Sequence, residues 1–103
     1  MQINTEYRKG ILFIRLIGRL DNGSFLDDIN KLIEEIGIMY IVLNLTKVSN
    51  VSLDSIGYII EYNNQILKKK KHLFICDTTD IRNRLFINII PKLNRETEAF
   101  SLI

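Results

Sequence analysis

The sequence is poor in the residues that carry most recognisable chemistry. Its 103 residues include one cysteine, Cys76, one histidine, His72, and one proline, Pro91. A single thiol excludes an internal disulfide and a cysteine-rich metal site. His72 and Cys76 fall four apart in one expected strand, hence on one face, but in apolar surroundings. A Cys–His catalytic pair needs a positioned thiolate and a cleft. There is no glycine-rich phosphate loop and no metal-ligand cluster. The reading is therefore of a non-enzyme with no metal and no cofactor. Net charge is only +2. The basic residues lack the aromatic interleaving of a strand-binding surface, so nucleic acid is not an expected partner. No apolar run approaches the roughly 20 residues of a membrane span, so direct insertion is not expected. The start, Met1 to Glu6, lacks the basic stretch and apolar run of a secretion signal. The Asn-x-Ser/Thr triplets at Asn22, Asn44 and Asn50 are then chance matches, and a reducing cytoplasm is the expected compartment.

What is present is a globular balance, 47% apolar and 25% charged, of a length that suits one domain over residues 1–103. Asn4 to Arg8 is a short strand candidate closed by Lys9-Gly10. Ile11 to Ile17 is nearly continuous apolar, the mark of a strand covered on both faces or nearly so. Gly18 to Gly23 has turn chemistry. Ser24 is placed to cap a helix whose first turn holds Asp27 and Asp28, where the dipole favours acid. Phe25, Ile29, Leu32, Ile33 and Ile36 recur at helical spacing, and Gly37 is the expected C-cap. Tyr40 to Leu45 reads as the central strand and Thr46 to Val51 as a connecting loop. A second helix begins near Ser52 or Leu53, with a stripe of Ile56, Ile59, Ile60, Ile66 and Leu67, and runs into Lys68–Lys71, where positive charge suits a C-terminus. His72 to Cys76 is a further strand. Thr79 or Asp80 can cap a third helix carrying Ile81, Leu85, Ile89 and Ile90, stopped by Pro91. Ala99 to Ile103 is an edge-strand candidate. The order β-β-α-β-α-β-α-β predicts an α/β fold, a mixed, largely parallel sheet with helices packed on it.

Three stretches carry a family pattern. Gly18-Arg19-Leu20-Asp21 ends the second strand, Val42 to Val48 runs as a hydrophobic stretch into a polar end, and Ser52-Leu53-Asp54-Ser55-Ile56-Gly57 opens the second helix. In these the chain resembles the STAS domain, a family that includes bacterial anti-sigma factor antagonists and cytoplasmic domains of sulphate transporters. The family's helix-opening motif is Asp-Ser-Ser-Gly-Leu-Gly, whose second Ser is the phosphorylation site in the antagonists. Aligned without a gap, Gly57 matches, Ile56 replaces Leu, Ser52 replaces Asp, Ser55 replaces Gly, and Asp54 stands at the phosphoacceptor position. The resemblance implies a binding module whose partner is a serine-kinase anti-sigma factor, or another STAS protein if the chain is a non-switching scaffold of a larger signalling assembly or transport system. It implies partner contacts at Asp21, Asn22, Ser52, Asp54, Ser55 and Tyr58.

Each site residue also has a plainer role open to it. Asp54 is either a fixed substitute for a phosphate or an ordinary first-turn acid, worth about 0.3–1 kcal/mol to the helix. Ser52 is an N-cap or a phosphoacceptor. Ser55, expected at the second or third helical position and accessible, is the other acceptor candidate. Asp21 is a family acid or a turn aspartate. Lys68–Lys71 is a solvated helix end or a contact for an acidic partner. Receiver domains, a different class with a phosphorylated Asp, need an acidic pair after the first strand to hold Mg²⁺, and Ile17-Gly18-Arg19 offers none.

Overall fold

The computed structural model describes residues 1–21, 24–78 and 89–102. β1 (Gln2–Arg8) and β2 (Ile11–Leu20) form an antiparallel hairpin. Its two loop residues, Lys9 and Gly10, sit at φ 52° and 83°. Two positive φ values in a two-residue loop match the twist of the flanking strands. From β2 the chain crosses through α1 (Phe25–Ile36) to β3 (Tyr40–Val51), and through α2 (Leu53–Lys68) to β4 (His72–Cys76). β5 (Lys92–Leu93) and a 3-10 helix (Glu96–Ser101) follow. Among the described residues the sheet has five strands in the order β1-β2-β3-β4-β5, parallel from β2 onward. β3 is central, as its apolar run predicts.

Successive crossovers of one hand put both helices on one face. There Leu12, Ile14, Leu16, Ile41, Leu43, Leu45, Leu73 and Ile75 meet Phe25, Leu26, Ile29 and Ile33 of α1 and Ile56, Ile59 and Ile66 of α2 in one buried cluster. Full burial of each such side chain is worth roughly 1.5–3 kcal/mol. The other face buries Ile11, Phe13, Val42 and Cys76 against Leu93 and Ala99. β2 is thus covered on both faces over Ile11 to Ile14.

The helix ends have identifiable causes. Gly37 takes φ 72°, and its N–H donates to the Ile33 carbonyl, the expected C-cap. Ser24 is a different case. Its backbone is already helical and its side chain makes no cap hydrogen bond, so the predicted side-chain cap is replaced by the Asp27 N–H bonding the Ser24 carbonyl at 3.0 Å.

Other differences concern the ends of the strands. Thr46 to Val51 is not a loop but the far half of β3, paired with Ile17 to Leu20, which the sequence reads as the end of a strand and a turn. Lys47 pairs with Ile17 and Asn50 with Arg19 across two register shifts, at each of which β3 carries one residue more than β2. Such bulges break the alternation that marks a strand in sequence. Gly18 lies between the two shifts at φ 106°. Among the described residues the edge strand opposite β1 is Lys92–Leu93, and of the segment read as a strand from Ala99, Ala99 to Ser101 belong to the 3-10 helix. The third helix from Thr79 or Asp80 lies outside the described residues. Of its expected stripe, Ile90 is buried and Ile89 exposed. On α2, Leu67 is exposed, whereas Tyr62 and Asn63 join the buried face.

The 3-10 helix is held against the sheet from a distance in sequence. The Arg15 guanidinium donates from Nε and Nη2 to Glu96 at 2.8–3.2 Å, and Nη2 also reaches Glu6 at 2.8 Å. Asn44 Nδ2 donates to Glu96 at 2.6 Å. Phe100 meets Phe13 edge-on, with ring centroids 5.7 Å apart.

Candidate functional site at the start of α2

β3 ends at Val51 and delivers the chain to the helix N-terminus, where unpaired N–H groups and the dipole create positive potential. Ser52 is the N-cap in extended backbone, and its Oγ accepts from the Ser55 N–H at 3.2 Å. The same hydroxyl lies 2.8 Å from the Asp21 carbonyl, to which it donates, and 2.8 Å from Ser55 Oγ. Ser55 Oγ donates to the Leu20 carbonyl at 3.0 Å, and the Ser52 N–H donates to that carbonyl too. The end of β2 and the start of α2 are therefore stapled together. Two hydroxyl protons serve three oxygen contacts, so Ser52 and Ser55 act as one unit.

The three polar positions of this turn differ in what they present. Asp54, the second helical residue, is exposed. Ser52 is half-buried, and Ser55, the third helical residue, is 0% exposed. The accessibility expected of Ser55 is not met: a kinase reaches it only after the staple to β2 opens. Helical spacing holds the signal that was missed, since 55, 59, 62 and 66 form one buried stripe.

Asp21 is exposed and lies 3.6 Å from Arg19, an exposed pair worth little. Asn22 lies outside the described residues. Tyr58 stands one turn beyond Asp54 on the same side of α2, and its hydroxyl donates to Asp27 Oδ1 of α1 at 2.5 Å. That hydrogen bond, more than burial or nearby charge, raises the Tyr58 hydroxyl above its usual range. The structure thus joins Asp21, Ser52 and Ser55 directly, with Asp54 beside them and Tyr58 one turn away.

Two exposures at this end are not visible in the sequence. Leu53, the first helical residue, is 79% exposed, an apolar side chain in a polar turn. Gly57 is exposed, and a Cβ built there meets nothing within 4 Å. Glycine inside a helix costs about 1 kcal/mol relative to alanine. Among the described residues no contact requires that cost.

The lone histidine and cysteine stay apart in role. The exposed His72 stacks on Tyr40 at 5.6 Å. Cys76 is buried in the sheet, and burial, ahead of the charges of Glu96 and Asp77, pushes its thiol up to about 11. Among the described residues no group of three or more His, Cys, Asp or Glu could hold a metal ion, and no helix is long and apolar enough to cross a membrane.

The STAS domain family profile matches residues 2–90, and the chain belongs to that family. Its fold is similar to that of the anti-sigma factor antagonist SpoIIAA in the unphosphorylated form, with a TM-score of 0.78 at 16% identity over 97% of this chain and 96% of that one. The phosphorylated form of SpoIIAA, described as a Bacillus cell fate determinant, gives 0.72 at 16% identity over 97% of each chain. A candidate anti-sigma factor antagonist of Thermotoga maritima gives 0.80 at 13% identity, covering 98% of this chain and 93% of that one. At these identities the likeness to the solved structures is one of fold, a mixed, mostly parallel sheet with helices.

Proposed function

We propose that the chain is an anti-sigma factor antagonist-like regulatory module of the bacterial cytoplasm that binds a serine-kinase anti-sigma factor. The binding end comprises Asp21, Asn22, Ser52, Asp54, Ser55 and Tyr58. Asp54 stands where the family carries its phosphoacceptor serine. The protein acts by competition rather than catalysis: it occupies the kinase and releases the sigma factor.

The observation that carries the reading is the contrast within one helical turn, Asp54 exposed and Ser55 buried. It favours the ungapped register, because a switch position has to be reachable by a kinase and a one-residue gap would put Ile56, which is buried, at the acceptor position. A phosphate brings roughly −1.5 to −2 charge to a helix N-terminus, and a carboxylate brings a fixed −1. The protein is accordingly held near the phosphorylated state, its capture of the kinase weakened and not abolished. Exposed Leu53 and the open space over Gly57 supply apolar contact and close approach on the same surface.

The test is capture of the kinase by wild type and by Asp54→Ser, followed by incubation with ATP. Asp54→Ser should capture more kinase and accept phosphate at position 54. Equal, tight capture by both proteins rejects the locked state, and phosphate on Ser52 or Ser55 of the wild type shows that the switch has moved.

One observation favours the scaffold reading. All seven residues of β1 are exposed, Ile3 and Tyr7 among them, and an open edge strand is a template for pairing. That reading predicts stable self-association or a STAS-containing partner in place of a kinase.

A further inference from the structure

Between α1 and α2 lies a cleft of about 200 Å³, lined by Asp27 and Asn30 of α1 and by Tyr58, Glu61, Tyr62 and Gln65 of α2. We propose that it seats a guanidinium group, the side chain of an arginine presented by a protein partner.

Sequence spacing builds the cleft. Residues 27 and 30 are three apart on α1, and residues 58, 61, 62 and 65 recur at three and four on α2, so one stripe from each helix faces the other. Every lining side chain ends in a hydrogen-bonding group. Two bonds across the helices hold the walls: Tyr58 to Asp27, and Tyr62 to Asn30 Oδ1 at 3.3 Å. These bonds leave acceptor capacity unused, since an ionised carboxylate offers roughly four lone-pair sites. Among the described residues neither Asp27 nor Glu61 makes an ion pair. Glu34, one turn along α1 from Asn30, is instead held by Lys69 at 2.8 Å. Asp27 and Glu61 thus bring two carboxylates with no ion pair among the described residues to the cleft. The charges of Asp27 and Glu61 add to the hydrogen bond that raises the Tyr58 hydroxyl, and the charge of Glu34 adds to the burial that pushes Tyr62 up to about 12.

Size and donor count select the occupant. The volume lies below the roughly 300–1,000 Å³ of pockets that enclose small molecules, so a nucleotide does not fit and the tip of one side chain does. A guanidinium is planar, carries five donors and no acceptor, is weakly hydrated, and is favoured beside a phenol ring. Two carboxylates and two side-chain amides give it acceptors on both walls. An ammonium has three donors and a hydration shell it holds tightly. The cleft opens on the side of α2 that carries Asp54, four residues before Tyr58, and so continues the proposed binding surface. The source of the arginine rests on the reading of the chain as a protein-binding module; the chemistry of the cleft does not.

The test is a ¹H–¹⁵N NMR titration of the whole chain with Nα-acetyl-arginine N-methylamide, run beside its lysine and citrulline analogues. The arginine compound should give saturable shifts around Asp27, Tyr58 and Glu61. The lysine analogue should bind at least several-fold more weakly, and citrulline, which keeps the shape without the charge, should give no saturable shift. Asp27→Asn with Glu61→Gln should abolish the shifts in a protein that still folds, with a lowered melting temperature because the charged acceptor of the Tyr58 hydroxyl and a first-turn acid are lost. Glu61→Gln alone, which removes no hydrogen bond of the walls, should weaken the shifts at an unchanged melting temperature. Shifts that do not saturate, equal binding of citrulline or lysine, or undiminished binding by the folded double variant overturn the proposal. The compound reports on the cleft without any partner. A negative result therefore leaves the kinase reading standing, and failure to capture a kinase by a protein that binds the arginine compound counts against that reading alone.

Discussion

On the helix-covered face of the sheet, Leu12, Ile14, Leu43, Leu45 and Ile75 meet two amphipathic helices in one buried apolar cluster, with hydrogen bonds only at its margins. On the opposite face, Phe13, Val42 and Cys76 are covered by a short 3-10 helix, and a polar clamp from Arg15 and Asn44 to Glu96 takes over where apolar contact ends. The first arrangement is non-directional and proportional to area. The second is directional, partly exposed, and sensitive to pH and salt. The contrast teaches that one sheet can carry a core that fixes the fold and a second cover whose attachment is conditional.

Leu43→Ala should break the first arrangement at the largest cost, about 2–5 kcal/mol in urea unfolding, because Leu43 is fully buried in the central strand. Phe100→Ala, on the half-buried partner of Phe13, should cost less, about 1–2 kcal/mol. Equal costs would erase the difference between the two faces.

Glu96→Gln sharpens the comparison further. Hydrogen bonds from Arg15, and then from Asn44, hold the Glu96 carboxyl below its ordinary value of 4.5. A lowered native value means that the clamp adds stability above the ordinary carboxylate range and loses it as pH falls through the lowered value. The opening equilibrium of residues 96–101, read from hydrogen exchange after correction for the intrinsic pH dependence of each amide, should therefore rise on acidification in the wild type and stay flat in the variant. At neutral pH the variant should lose about 1 kcal/mol, the clamp being partly exposed. An acid-insensitive opening equilibrium in the wild type would show that the clamp holds nothing.

The smallest effect is expected at the outward side of α2. Gly57→Ala should stabilise the protein by about 0.5–1 kcal/mol, since the added methyl meets nothing and the helix gains. The same variant should capture less kinase. A stabilised variant with full capture would mean that no partner approaches that surface.

Much of this fold is legible in the chain. The apolar runs Ile11–Ile17 and Tyr40–Leu45 mark β2 and the central strand, and Gly37 and Ser52 mark a helix end and a helix start by their own backbone chemistry. Where the sequence misleads, a distant partner decides. Thr46 to Val51 carries a poor strand pattern, yet it pairs with the end of β2 through bulges that only the neighbouring strand defines. Ala99 to Ile103 has strand-like composition, but Glu96 is gripped by Arg15, 81 residues away, and Glu96–Ser101 closes into a 3-10 helix.

The same division runs through the site. The residues of the motif, the Asp at position 54 and the helix N-terminus that holds it follow from order and spacing, because capping and the dipole act within a turn. That Ser55 is sealed against the Leu20 carbonyl, that Leu53 faces solvent, and that Tyr58 meets Asp27 across a cleft was decided by tertiary structure. The chain sets which groups stand at the start of α2. Their exposure depends on β2 and α1, which packing brings against that helix from some 30 residues earlier in the sequence.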